Sequence, residues 1–276
     1  MKRMLLLTTL CWMSACGSGE SAGKVEPSAP KAEVPATEAP AEPTEIDEYK
    51  VLAPSPLDFA HRLKEFGLAE HLAASVPANM PSSEGVSDQD LVAFQTGVLM
   101  SWTLLGGWDT DKDTFVKQIR DVRGGMAAIG TGEGLLKTMD RAIEQVVNDT
   151  ASRADFLEEF DAQVGMMVPE EGFGPNDTTG PMLQAGAWLG SINVVAGAVV
   201  ASGNAEAADK FLRHADVAEY YLRYLSTEEG SDKAGPMGER VRKVLVSLKD
   251  IAGRESIGVE GAREAHALTS GLLDVR

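Results

Sequence analysis

Cysteine is nearly absent from this chain of 276 residues, because Cys11 and Cys16 are the two that it has. Beyond Cys16 no thiol is available for a disulfide, a metal site or a catalytic nucleophile. The folded part must therefore be stabilised by the packing of apolar side chains, which make up 43% of the chain. That share is normal for a globular protein with a hydrophobic core.

Positive charge is also scarce, with 25 Lys and Arg against 42 Asp and Glu and a formal net charge of -17. Nucleic-acid binding depends on clustered Lys and Arg that contact phosphates. We therefore predict that nucleic acid is not a partner. The same acidic balance argues against attachment to an anionic membrane surface by charge alone.

Motifs typical of enzymes are missing as well. The four histidines are His61, His71, His214 and His266, and they include neither a His-Glu-x-x-His motif nor a pair at helical ligand spacing. The run 109–113 begins like a calcium loop, but Thr114 and Arg120 occupy the positions that require Gly and Glu. We predict a helix start there, and no cofactor, metal or catalytic residue. A hydrolase or a metal enzyme assembled across helices is kept as an alternative.

The first residues have the composition of an export signal. Lys2-Arg3 precedes an apolar stretch, 4–13, that is too short to span a bilayer as a helix. Met13-Ser14-Ala15-Cys16 then resembles the lipobox of bacterial lipoproteins, with Met13 where that motif usually has Leu. The resemblance implies that residues 1–15 are a signal peptide. It also implies that Cys16 is lipidated and anchors the mature chain in a membrane.

The segment 16–48 is rich in Pro, Ala and Glu and has almost no large apolar residue. Such a composition cannot bury enough surface to offset the entropy of ordering. We therefore predict a disordered, extended tether that follows the lipidated Cys16. In the lipoproteins that this chain resembles, Asp after the Cys often retains the protein at the inner membrane. Gly17 stands there instead, which implies the outer membrane and a domain that faces the periplasm.

Helix-start signals recur through residues 49–276, which we predict to be one helical domain. Each signal is a Ser, Thr, Asp, Asn, Gly or Pro cluster before apolar residues at three- and four-residue spacing. They stand at Ser55, Ser87-Asp88, Asp111, Thr131-Gly132, Ser152, Thr179, Asn204, Gly235-Pro236 and Ser256. We predict an all-α bundle of roughly nine helices, without a sheet.

Two stretches of the helical domain, 91–107 and 182–203, contain no charged residue. A helix that is apolar all round lies either at the centre of a bundle or in a membrane, and we favour the centre. The stretches resemble each other, since 94–97 (Phe-Gln-Thr-Gly) aligns with 183–186 (Leu-Gln-Ala-Gly). We hypothesise a duplicated helical unit whose two copies pack through these helices, with chance similarity as the alternative.

Three functions are compatible with these features. The first is a non-enzymatic binding or structural domain, lipid-anchored in the cell envelope, with another envelope protein as its partner. The second is a carrier that holds a hydrophobic ligand between the two apolar helices. Its pocket would be lined by Leu99, Trp102, Trp188 and Val195. The third is the enzyme named above.

Overall fold

The computed structural model describes residues 53–78, 81, 85–165, 177–225 and 235–274, which form α-helices and no β-strand. The predicted all-α class is therefore confirmed. The predicted signal peptide, the lipidated Cys16 and the tether lie outside the described residues.

Eleven helices are described. They are α1 (Pro56–Glu65), α2 (Ala69–Ser75), α3 (Gln89–Gly106), α4 (Lys112–Ala128), α5 (Glu133–Val147), α6 (Arg153–Gly165), α7 (Thr179–Ser202), α8 (Ala205–Phe211), α9 (Ala215–Leu225), α10 (Gly235–Ala252) and α11 (Gly258–Leu273). The core is continuous and draws buried side chains from all eleven helices. The outer helices are therefore amphipathic elements packed on a shared interior.

Side-chain caps fix several of the predicted helix starts. Ser55 and Asp58 form a reciprocal capping box at α1, with Asp58 N–H donating to Ser55 Oγ over 3.0 Å. Asp111 accepts from Thr114 N–H over 3.0 Å and so caps α4, which confirms a helix start at the calcium-like run. Such caps satisfy backbone donors that a helix leaves unpaired at its first turn.

The helix number differs from the sequence prediction because α2 and α9 were not foreseen. α2 follows a turn at Gly67, whose φ of +79° is left-handed, and it begins at Leu68 without a side-chain cap. α9 was assigned to one helix with α8, but the chain leaves the helix at Leu212 and resumes it at Ala215. Neither boundary carries the cap residue on which sequence recognition depends.

The two helices that contain the uncharged stretches, α3 and α7, are packed directly against each other, as predicted. A Cβ atom at Gly97 would overlap the carbonyl oxygen of Leu183, and one at Gly186 would overlap that of Phe94. Gly190 similarly leaves room for the Ser101 hydroxyl. Small residues four apart thus allow the two backbones to touch, which is the packing that such spacing promotes between close helices.

The contacts between α3 and α7 are arranged symmetrically. Gly97 of α3 lies on Leu183, and the aligned Gly186 of α7 lies on Phe94, so exchanging the copies exchanges the contacts. The Thr178 hydroxyl donates to Asp90 where both helices begin, and the Trp102 indole donates to the Gly190 carbonyl further along both, so α3 and α7 run parallel. This symmetry is what two copies related by a two-fold axis would give. The duplication itself stays a prediction, because the helices that follow α3 and α7 differ in length.

α7 is, among the described helices, the one long and apolar enough to cross a membrane. Most of it is buried inside the bundle, where α2, α3 and α11 pack against it. Asn193 in its middle donates from Nδ2 to Thr269 Oγ1 over 3.0 Å and to Ser270 Oγ over 2.9 Å. Asn193, a polar residue in the middle of α7, is thus hydrogen-bonded inside the bundle, as a buried polar side chain requires.

Candidate functional site

The residues of the hypothesised carrier pocket are all buried. Leu99, Trp102 and Trp188 are 4% exposed and Val195 is fully covered. Trp102 lies where α3 meets α7 and donates its indole N–H to the Gly190 carbonyl over 3.2 Å. Trp188 instead points toward α9, with its ring 6.0 Å from that of Tyr221. Trp102 therefore packs between α3 and α7, whereas Trp188 packs between α7 and α9.

An open cleft of about 210 Å³ lies elsewhere, between α1, α2 and the end of α3. Its apolar surface comes from Ala60, Ala69, Leu72 and Leu105, and its polar and aromatic surface from His61, Lys64, Trp108 and Asp109. Pockets for drug-sized ligands occupy about 300–1,000 Å³. The cleft therefore has room for a side chain or a small group, and not for a long lipid chain.

Trp108 is the largest apolar group that the described surface presents. It is 40% exposed, and the other large apolar residues exposed to this degree in the described ranges are Val147 and Val246. Its ring centroid is 6.5 Å from that of His61, on the opposite wall of the cleft. Trp is strongly enriched at energetically dominant positions of protein interfaces, because it combines a large apolar area with a donor.

Arg153 at the start of α6 holds the loop that carries Trp108. Its Nη1 donates to the Gly107 carbonyl over 2.9 Å and also contacts the carbonyl oxygens of Trp108 and Thr110. Its guanidinium lies 5.0 Å from the centroid of the Phe115 ring. Because the loop is fixed at several carbonyls, Trp108 is held in place before anything binds, which lowers the entropic cost of binding.

Gly107 is required at this loop by its surroundings. A Cβ atom there would crowd the Thr103 carbonyl oxygen and the rings and methyl groups of Phe115 and Leu157. The Thr110 hydroxyl closes the turn by donating to the Gly106 carbonyl over 2.8 Å. Gly106 and Gly107 therefore form a tight turn that ends α3 and directs Trp108 to the surface.

The charged residues that line the cleft do not form an ion pair with each other. Neither Lys64 nor Asp109 forms an ion pair within the part of the chain that the structure describes. Behind α1, Asp161 accepts from Leu57 N–H, and burial raises the pKa of its carboxyl while nearby His61 opposes that rise. The cleft therefore offers a cation and an anion to a ligand beside an aromatic wall.

Another polar cluster joins α7 to α11. His266 Nδ1 lies 3.0 Å from the Asn193 carbonyl oxygen, so this nitrogen carries the proton and donates. The Asn193 amide binds the hydroxyls of Thr269 and Ser270 as given above. Since each of these groups is engaged by its neighbours, the cluster is explained by the packing of α11 on α7.

No group of three or more His, Cys, Asp or Glu residues in the described ranges is placed to hold a metal ion. His61, His214 and His266 lie at three separate places: the cleft, the turn before α9 and the α7–α11 contact. The sequence prediction did not identify the cleft. The sequence feature that could have indicated it is Trp108, an aromatic residue that directly follows the helix end at Gly106-Gly107.

No family model matches this chain, and neither the curated proteins nor the solved structures contain a significant match to it.

Proposed function

We propose that this protein is a lipoprotein of the bacterial cell envelope whose helical domain binds another envelope protein at the cleft beside Trp108. The order of basic residues, apolar stretch, small residues and Cys16 supports the anchor. The tether composition of 16–48 supports a domain that moves freely near the membrane. Gly17 supports the outer membrane and a domain that faces the periplasm.

The observation that carries the binding function is Trp108, 40% exposed on a loop that Arg153 holds in place. The cleft beside it fits one protruding apolar side chain of a partner. Lys64 and Asp109 at its edge suit polar groups that flank such a side chain. An apolar anchor surrounded by polar contacts is the usual composition of a protein–protein binding site.

Site-specific photo-crosslinking in cells tests this function. A photoreactive aromatic amino acid, which keeps a large ring at this position, replaces Trp108 in the full-length, membrane-anchored protein, and matched variants carry it at Val246 or Val147, which are similarly exposed. We expect one discrete crosslinked species from position 108, absent from both controls and weakened by Lys64→Glu. Equal crosslinking from all three positions, or none from position 108, would contradict a binding site at the cleft.

The anchor is tested separately by Cys16→Ala. The unaltered protein should incorporate labelled fatty acid and sediment with outer membranes, because Cys16 supplies the thiol that is acylated. The variant should lose the label. Incorporation of label into Cys16→Ala would show that the lipobox assignment is wrong, and this result would leave the crosslinking test unaffected.

A further inference from the structure

A second, much smaller cavity of about 10 Å³ lies between α7, α10, α11 and the turn that precedes α9. Trp188 and His214 line it together with apolar residues. These are Ile192, Leu212, Leu248, Ile251 and Ala265. A buried cavity needs roughly 10–15 Å³ to hold one water molecule. The cavity is therefore at the lower limit of the size that a single water requires.

Two of the residues that line the cavity each have a buried nitrogen atom without a hydrogen bond. Trp188 Nε1 and His214 Nε2 are both buried, and neither has a partner among the described residues. Buried polar atoms are nearly always hydrogen-bonded, to protein or to ordered water, because leaving them unpaired costs free energy. Two such atoms on one small cavity therefore indicate a shared partner.

We infer that this cavity is a binding site for one water molecule, which bridges Trp188 on α7 and His214 before α9. The indole N–H can only donate, so the water accepts from it. The neutral imidazole with its proton on Nδ1 leaves Nε2 free to accept, so the water donates to it. The site therefore links the central helix to the C-terminal helices through a polar contact within an apolar region.

The charges around His214 are compatible with the neutral imidazole. Burial lowers the pKa of His214, Arg62 on α1 lowers it further, and Asp216 on α9 raises it. Helices α7, α10 and α11 contribute apolar side chains and the Trp188 indole to the cavity. The Phe59 ring, 5.8 Å away and nearly perpendicular, covers another side of the imidazole. A protonated imidazole would carry a hydrogen on Nε2 and would no longer accept from the water.

Nuclear magnetic resonance of the full-length chain with isotope-labelled indoles tests this site. We expect a magnetisation-transfer signal between water and the Trp188 indole proton. Trp102 is the matched control, because its buried indole donates to the Gly190 carbonyl and should give no such signal. A Trp188 proton without a water signal, or equal signals at Trp188 and Trp102, would overturn the inference.

Two substitutions of His214 sharpen the test. His214→Gln keeps an acceptor and should retain the water signal at Trp188. His214→Phe fills the cavity with an apolar ring and should remove it. A water signal that persists in folded His214→Phe would show that the imidazole is not the second partner of the water. If His214→Phe fails to fold, the Trp188 and Trp102 comparison in the unaltered chain decides.

Discussion

The middle of α3 and the loop that follows it have opposite surroundings. The middle lies against α7, where Gly97 and Gly186 bring the backbones into contact. Just past its last turn, the chain presents Trp108 to an open cleft and holds it there through Arg153. One helix therefore supplies both a closely packed interior and a surface aromatic residue. The rigidity of the first is what positions the second.

The part of α3 that faces α7 is closely packed. Two of its polar side chains bond within the bundle, since the Trp102 indole donates to the Gly190 carbonyl and the Thr96 hydroxyl donates to the Val92 carbonyl. At the cleft beyond the last turn of α3, Lys64 and Asp109 form no ion pair with another described residue. Substitutions where α3 meets α7 should therefore lower stability and leave binding intact. Substitutions at the cleft should weaken binding with a smaller effect on stability.

The largest effect is expected from Gly97→Val. The added side chain would collide with the Leu183 backbone, which cannot move aside, so we expect the free energy of unfolding to fall by more than about 3 kcal/mol. The control is Gly124→Ala on α4, where a Cβ meets nothing and a gain of about 0.4–1 kcal/mol is expected. Urea unfolding followed by circular dichroism measures both. Similar midpoints for the two variants would show that α3 and α7 are not in backbone contact.

A smaller loss of stability is expected from Arg153→Ala. It removes charged donors from the carbonyls of Gly107 and Trp108, at a cost of about 1–3 kcal/mol. Arg213→Ala is the matched control, since Arg213 donates in the same way to the carbonyls of Ala252 and Arg254. Both should lower the thermal midpoint, but only Arg153→Ala should weaken crosslinking from position 108. Equal crosslinking in the two variants would show that the Arg153 contacts do not position Trp108.

The water site at His214 should make the stability of the protein depend on pH, an effect that the contacts of α3 do not produce. Because burial lowers the pKa of His214 below 6.5, the unfolded chain takes up a proton more readily than the folded chain. The stability that the neutral imidazole contributes is complete above pH 6.5 and is lost as the pH falls toward the folded pKa. Urea midpoints at about pH 8 and pH 5.5 should differ more in the unaltered chain than in His214→Phe. The same pH dependence of the urea midpoint in the unaltered chain and in His214→Phe would show that His214 does not contribute this effect.

The smallest effect on stability is expected from Trp108→Ala. Because 40% of the residue is exposed, its truncation should lower the free energy of unfolding by less than the roughly 3–5 kcal/mol that a fully buried Trp would lose. Binding, measured by recovery of the partner identified through crosslinking, should nevertheless be lost. Trp102→Phe should instead lower stability and keep binding, because it removes a buried hydrogen bond and leaves the cleft intact. Loss of binding in Trp102→Phe alone would move the binding site away from Trp108.

The sequence predicted those features that depend on local chemistry. Caps such as Ser55 and Asp111 identify helix starts within a few residues, and uncharged stretches with Gly97 and Gly186 identify the central pair. It did not predict α2, because Leu68 offers no cap and the turn depends on the left-handed φ of Gly67. The cleft was not predicted either, since it exists only where α1, α2 and the loop after α3 meet.

The parallel arrangement of α3 and α7 has a consequence for how the chain folds. Gly97 lies against Leu183, which is 86 residues further along the chain, so this contact closes a very long loop. The apolar surface of α3 cannot be covered until α7 has been synthesised and has docked, which makes folding slow relative to local helix formation. A chain truncated before residue 177 would keep that surface exposed and should aggregate. We therefore expect that the chain needs protection from aggregation until its C-terminal half has been synthesised.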